Sequence, residues 1–211
     1  MTLHVWLAFI AASIIMLLIP GPTVLLVVGD AMANGSRRAW ATVAGVGLGD
    51  TTAMTLSLAG AGALLRASAT AFTIMKTLGG LYLIYLGAKS ILKARNEAVT
   101  AGNEIIARSE RRLTARFGKA YAITVLNPKS ILFFVAFVPQ FMSPQGSFLL
   151  QSGVLLATFT CLSILNSSTY SVVAGLVGGR LLTASAQRKV SYTGGCALIG
   201  AGALALATKQ S

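Results

Sequence analysis

The chain of 211 residues is 55% hydrophobic and only 10% charged, with a formal net charge of +12. Soluble domains carry about 25% charged residues, so this composition excludes an ordinary soluble domain and points to lipid as the solvent. The basic excess does not signal nucleic acid: Lys and Arg sit at the ends of apolar stretches, and no soluble basic module is long enough to fold.

Residues 3–29 contain no Asp, Glu, Lys or Arg, and a span of ~30 Å of hydrocarbon needs roughly 20 such residues. The absence of a basic leader, the length of the run and the lack of a small-residue cleavage site make this stretch a first membrane helix rather than a signal peptide. Further apolar windows follow at about 40–65, 71–92, 117–142, 147–177 and 189–208, the third and fourth windows interrupted by Lys76 and Lys129. The expectation is an all-α integral membrane protein of six transmembrane helices, a count that fits the charges better than five or seven. Of the 17 Lys and Arg, 13 fall in the connections between helices one and two, three and four, and five and six. The positive-inside rule places those connections in the cytoplasm and both termini outside. Residues 95–116 are the one sizeable polar segment and read as a basic cytoplasmic linker or a short interfacial helix between halves at 1–94 and 117–211.

The halves look related. Gly79-Gly80-Leu81-Tyr82-Leu83-Ile84-Tyr85-Leu86-Gly87-Ala88 in the third window matches Gly194-Gly195-Cys196-Ala197-Leu198-Ile199-Gly200-Ala201-Gly202-Ala203 in the sixth at six of ten positions. A helix breaker recurs in the first span of each half, as Pro20-Gly21-Pro22 and as Asn127-Pro128-Lys129. Halves of three spans each must lie upside down relative to one another, and inverted repeats with interrupted helices at matching places mark secondary transporters.

Several residues stand out as candidates for the work itself. Pro20 and Pro22 remove backbone donors and push away carbonyl partners, and the freed groups must face protein, water or ligand. The alternative is a simple kink. Asp50 lies near the middle of the second window, beside Gly49. A charged Asp at that depth costs about 2.5–3.5 kcal/mol and needs a partner or a proton, which suits it to proton coupling; the plainer role is a neutral acid bonded across helices. Lys129 either snorkels to an interface, pairs with Asp50, or meets a substrate carboxylate. Asn127 and Asn166, the latter with Ser167, Ser168 and Thr169, offer uncharged ligands, and Asn166 sits within one residue of the place equivalent to Asp50. Tyr82 and Tyr85 share a helix face, for aromatic packing first and cavity lining second. Gly45 and Gly49, like Gly175 and Gly179, permit close helix approach, within the chain or in a homodimer. Asp30 is expected to pair with Arg37 or Arg38. Cys161 and Cys196 read as buried thiols, and with a single His4 they support neither a metal site nor a disulfide, so no cofactor is expected.

Taken together, Ile19-Pro20-Gly21-Pro22, Gly45-x-x-x-Gly49-Asp50, Gly80-x-Tyr82-Leu83-x-Tyr85-Leu86-Gly87, Gly118, Asn127-Pro128-Lys129, Phe133-Phe134 and Val138-Pro139-Gln140-Phe141 resemble the LysE/RhtB family of bacterial amino-acid exporters over nearly the whole chain. The resemblance implies export of an amino acid across the cytoplasmic (inner) membrane, driven by protons, and the length is closer to the RhtB-like branch that handles small neutral substrates such as threonine and homoserine. Asp30 and the Asn166-Ser167-Ser168-Thr169 run depart from the family pattern. On this reading Asp50 carries the coupling proton, the broken segments shape a midplane site, and Lys129 or a half-helix N-terminus holds the substrate carboxylate. The competing readings are a cation or metal exporter, which has too few ligands, an intramembrane enzyme, for which no HExxH, GxSxG or paired acids occur, and a non-transporting subunit of a membrane complex, against which Asp50 argues.

Overall fold

A computed structural model describes residues 1–19, 21–67, 69–96, 112–143 and 145–177, together with Tyr192, Thr193, Gly195, Cys196, Ile199, Gly200, Gly202, Ala203 and Leu206. Pro20, the expected linker core at 97–111 and the fifth-to-sixth connection at 178–191 lie outside the described residues. Every element among those described is helical: α1 (Leu3–Leu18), α2 (Pro22–Asn34), α3 (Trp40–Ala67), α4 (Ala69–Asn96), α5 (Leu113–Val125), α6 (Pro128–Ala136) and α7 (Phe148–Val177), with single 3₁₀ turns at Ser36–Arg38 and Val138–Phe141. α5 begins at Leu113, four residues before the expected start of the second half at 117.

The first window is thus two helices, and so is the fourth. α1 and α2 meet at 59°, and α5 and the α6 segment at 47°. The sequence dictates both breaks in the same way. Pro22 and Pro128 each occupy the first turn of the second helix, where a missing N–H costs nothing and the fixed φ is already helical. Gly21 and Asn127 precede them in extended conformation, as a residue before Pro must. Asn127 adds a cap, its Oδ1 accepting from the Lys129 amide at 3.1 Å. By length and apolarity alone, Phe148–Leu176 qualifies among the described residues as a membrane-crossing helix, and each bent pair qualifies when taken as one span.

Each broken pair packs against a long helix distant in sequence: α1 and α2 lie on α7, α5 and α6 on α3. Glycine sets the closest of these approaches. A Cβ on Gly45 would sit 2.5 Å from the Phe117 carbonyl oxygen, and one on Gly49 would sit 2.7 Å from Thr124. The Gly45/Gly49 face is therefore used within the chain, between α3 and α5, and Gly175 likewise lies on Ser36. Because the Gly45 neighbour is backbone and cannot rotate away, Gly45→Val is expected to cost about 1–3 kcal/mol by overpacking, read as a lower unfolding midpoint of the detergent-purified protein.

A second glycine seam joins α4 to the C-terminal helical residues. Gly87 meets the Gly195 carbonyl at 2.5 Å from its would-be Cβ, and Gly202 meets the Gly80 carbonyl at the same distance. In the matched segments Gly80 is the equivalent of Gly195, and Gly87 of Gly202. The contacts thus pair each glycine with the equivalent of the other, the pattern that a two-fold axis generates.

Two core layers, built from three buried clusters among the described residues, lie along the bundle. One, on the side of the α3 C-terminus, is aromatic: Phe9, Phe133, Phe134, Phe137 and Phe159 with Met16, Ala53, Met54, Leu58, Val138 and Leu155. The other, on the side of the α3 N-terminus, is aliphatic and of smaller side chains: Leu26, Val27, Val43, Val46 and Ala120, followed by Val28, Ala31, Ala39 and Ala174. Cys161 and Cys196, expected to be buried, are exposed on the outside of the bundle, because their helices turn those positions outward.

Candidate functional site

Asp50 lies ten residues into α3, roughly 15 Å along its axis, between the two cores. It is buried, and its Oδ2 accepts a hydrogen bond of 2.5 Å from the Ser163 hydroxyl of α7. A cavity of about 30 Å³ opens beside it, room for a water or two. Its polar wall is made by Thr23, Asn127, Lys129, Ser130, Asn166 and Ser167 and its apolar wall by Met16, Leu17, Ile19, Val24 and Val46. Both helix breaks border it. Asn127 joins them, its Nδ2 donating to Thr23 Oγ1 at 3.2 Å.

The end of α1 accounts for Lys129 and Asn166. A helix leaves its last four carbonyls without partners, and in lipid each must find one. The Lys129 ammonium donates to Met16 O at 2.7 Å and to Ile19 O at 2.8 Å. Asn166 Nδ2 donates to Leu17 O at 3.2 Å, and the Tyr170 hydroxyl to Leu18 O at 3.0 Å. Four successive carbonyls at the end of α1 are thus satisfied by three side chains of α6 and α7. Lys129 does not snorkel: its stem passes Gly21, whose would-be Cβ lies 3.8 Å from Lys129 Cδ. A cation at this place also meets the negative end of the α1 dipole.

The structure therefore brings Asp50, Lys129, Asn127, Gly21 and Asn166 to one cavity. Pro22 and Pro128 stand at the helix starts that border it and act through the backbone. Gly49 faces α5 rather than the cavity. Tyr82 is not among the lining residues; its ring lies 5.9 Å from that of Tyr85 on α4. Ser163, Ser130 and Tyr170 join the site without having stood out in the sequence. Ser163 lies three residues before Asn166 and shares its helix face, a spacing the sequence displays. Tyr170, four residues past Asn166, carries the same signal.

Nearer the basic end, Asp30 does not pair with Arg37 or Arg38. Its Oδ1 lies 3.6 Å from Arg116 Nε of α5, with both side chains nearly buried at 10% and 4% exposure. Asp30 also accepts from Thr42 Oγ1 at 2.6 Å and from Asn34 Nδ2 at 2.9 Å. The expectation failed because α2 ends at Asn34 and Gly35, at φ +82°, turns the chain away, whereas α5 lies alongside.

Comparison with known proteins agrees with this architecture. Residues 14–209 match the model of the family described as LysE type translocator. A protein of Vibrio cholerae serotype O1 named only as an uncharacterized membrane protein is 30% identical over the full length of both chains. Proteins named leucine efflux protein are 31% identical, in Salmonella typhimurium over 74% of this chain and 71% of theirs, and in an Enterobacter species over 74% and 72%. No solved structure matches.

Proposed function

Because the chain belongs to the LysE type translocator family, a helical membrane transporter and not an enzyme, we propose that it exports neutral amino acids from the cytoplasm in exchange for protons. The observation that carries this reading is the buried carboxylate of Asp50 on a cavity bounded by two broken spans. An ionisable group held at that depth serves transport rather than packing. The apolar wall of Met16, Leu17, Ile19, Val24 and Val46 suits an uncharged aliphatic side chain, and relatives are named for leucine efflux. Leucine thus stands beside threonine and homoserine as a substrate.

In this reading six spans form two inverted halves, 1–94 and 117–211, about the linker 95–116, in a bacterial inner membrane with both termini outside. The reciprocal glycine contacts of Gly80, Gly87, Gly195 and Gly202 support the inversion. The N-terminal ends of α2 and α6, at Pro22 and Pro128, set positive dipole ends at the border of the cavity and receive the substrate carboxylate. Asp50 takes up a proton from outside and gives it up inside. With room for water only, the cavity represents a closed state, and substrate entry requires the helices around it to part.

Proteoliposomes loaded with single amino acids and given an acid exterior test this. Leucine, threonine or homoserine is expected to leave faster with the gradient than without it. Efflux of none of the neutral amino acids, or efflux indifferent to the gradient, overturns the proposal.

A further inference from the structure

The ammonium of Lys129 occupies a site built from backbone: the Met16 and Ile19 carbonyls, 2.7 and 2.8 Å away, at the negative end of α1. Such a cradle recognises a primary ammonium group and has no means of telling a lysine side chain from any other R–NH₃⁺. An amino-acid substrate carries that same group. Among the described lining residues, Asp50 and Lys129 are the ionisable ones, on facing helices of one small cavity.

We propose that the Met16 and Ile19 carbonyls are the binding site for the substrate's α-ammonium group, that Lys129 is its tethered stand-in, and that Lys129 moves between this cradle and Asp50. The inference rests on the exporter reading above. When Asp50 holds a proton it offers no anion, and Lys129 stays on the carbonyls. When the O–H bond of Asp50 breaks and its proton passes to water on the open side, the carboxylate draws Lys129 across the cavity and the cradle falls vacant. Substrate ammonium then takes the place of Lys129, with its carboxylate toward the starts of α2 and α6. Proton and substrate cannot be held together, and exchange follows from that mutual exclusion.

The surroundings leave Lys129 as the charged partner of Asp50. α6 contributes Lys129 and Ser130, and α7 contributes Ser163. Among the described side chains, Lys119 of α5 and Cys161 of α7 are exposed. The other titratable groups on the packed helices are engaged elsewhere: Tyr170 of α7 on Leu18 O, Tyr121 of α5 with Thr52, Asp30 of α2 with Arg116 of α5, Tyr82 of α4 beside Tyr85, and Lys89 of α4 over the Tyr85 ring.

Competition against labelled leucine on the full-length protein in nanodiscs tests the site. The probes are 3-methylbutylamine, which keeps the ammonium and lacks the carboxylate, and 4-methyl-2-oxopentanoate, which keeps the carboxylate and lacks the ammonium. The amine is expected to displace leucine and the oxo acid to fail. Leucine should bind the wild-type protein more tightly as pH rises, because fewer Asp50 side chains hold a proton and more cradles are vacant. Lys129→Met, whose cradle is always vacant, should bind leucine about tenfold more tightly and without that pH dependence. Displacement by the oxo acid as good as that by the amine, or a pH dependence unchanged in Lys129→Met, overturns the inference while leaving the exporter reading intact. The two analogues need only the wild-type protein and so decide the matter even where Lys129→Met does not fold. Absence of all leucine binding overturns both readings for this substrate.

Discussion

Asp50→Asn is expected to abolish gradient-driven efflux and to weaken leucine-for-leucine exchange at every pH, because Lys129 then stays on the Met16 and Ile19 carbonyls. The double variant Asp50→Asn with Lys129→Met is expected to regain exchange but not driven efflux. Asparagine keeps the size of the side chain and still accepts from Ser163, so the α3–α7 contact survives. What it loses is the ability to take and release a proton, and with that the link between the gradient and the substrate. Proteoliposomes preloaded with unlabelled leucine and assayed for uptake of labelled leucine measure the exchange. The same vesicles, given an acid exterior and no external leucine, measure the driven step. Wild-type-like driven efflux in Asp50→Asn would remove Asp50 from the mechanism; exchange that stays lost in the double variant would make it a structural residue.

The Asp30–Arg116 pair carries the second large effect. Removing one partner of a buried ion pair leaves an uncompensated charge and costs about 3–5 kcal/mol. Arg116→Leu is therefore expected to lower the unfolding midpoint sharply, because Asp30 keeps only Thr42 and Asn34. The double variant Asp30→Asn with Arg116→Leu buries no net charge and should recover most of the loss. Equal instability of the single and double variants would show that the pair's charge is not what matters. The pair ties α2 to α5 at the basic end of the bundle.

These two sites differ in how far the sequence disclosed them. Asp50 was legible because a lone acid in an apolar helix is costly to keep unless its proton or its charge is used. The breaks at Pro22 and Pro128 were legible because Pro acts on its own backbone. Both are local signals. The Asp30 partner was not legible, since Arg116 lies 86 residues away in sequence and its basic neighbours made it look like one more topological charge. Lys129 was open for a related reason. Its burial depends on where α1 ends, and which carbonyls a break exposes is settled by packing of the halves. The tyrosines of α4 invited a functional reading through composition, yet Tyr82 packs on Tyr85 away from the cavity. Glycine spacing told of close approach without naming the partner, which for Gly45 and Gly49 is α5.

The two cores on either side of Asp50 are unequal, and the inequality has a directional consequence. Parting the aliphatic layer of Leu26, Val27, Val43, Val46 and Ala120, with Val28, Ala31, Ala39 and Ala174 beyond it, wets mostly small side chains, whereas parting the interlocked phenylalanine rings of the other layer wets more apolar surface, at about 25 cal/mol for each Å². A bundle so built parts more easily on the side of the α3 N-terminus than on the side of its C-terminus. On the exporter reading proposed above, with the basic connections in the cytoplasm, the carrier then waits for cargo facing the compartment from which cargo is to be removed.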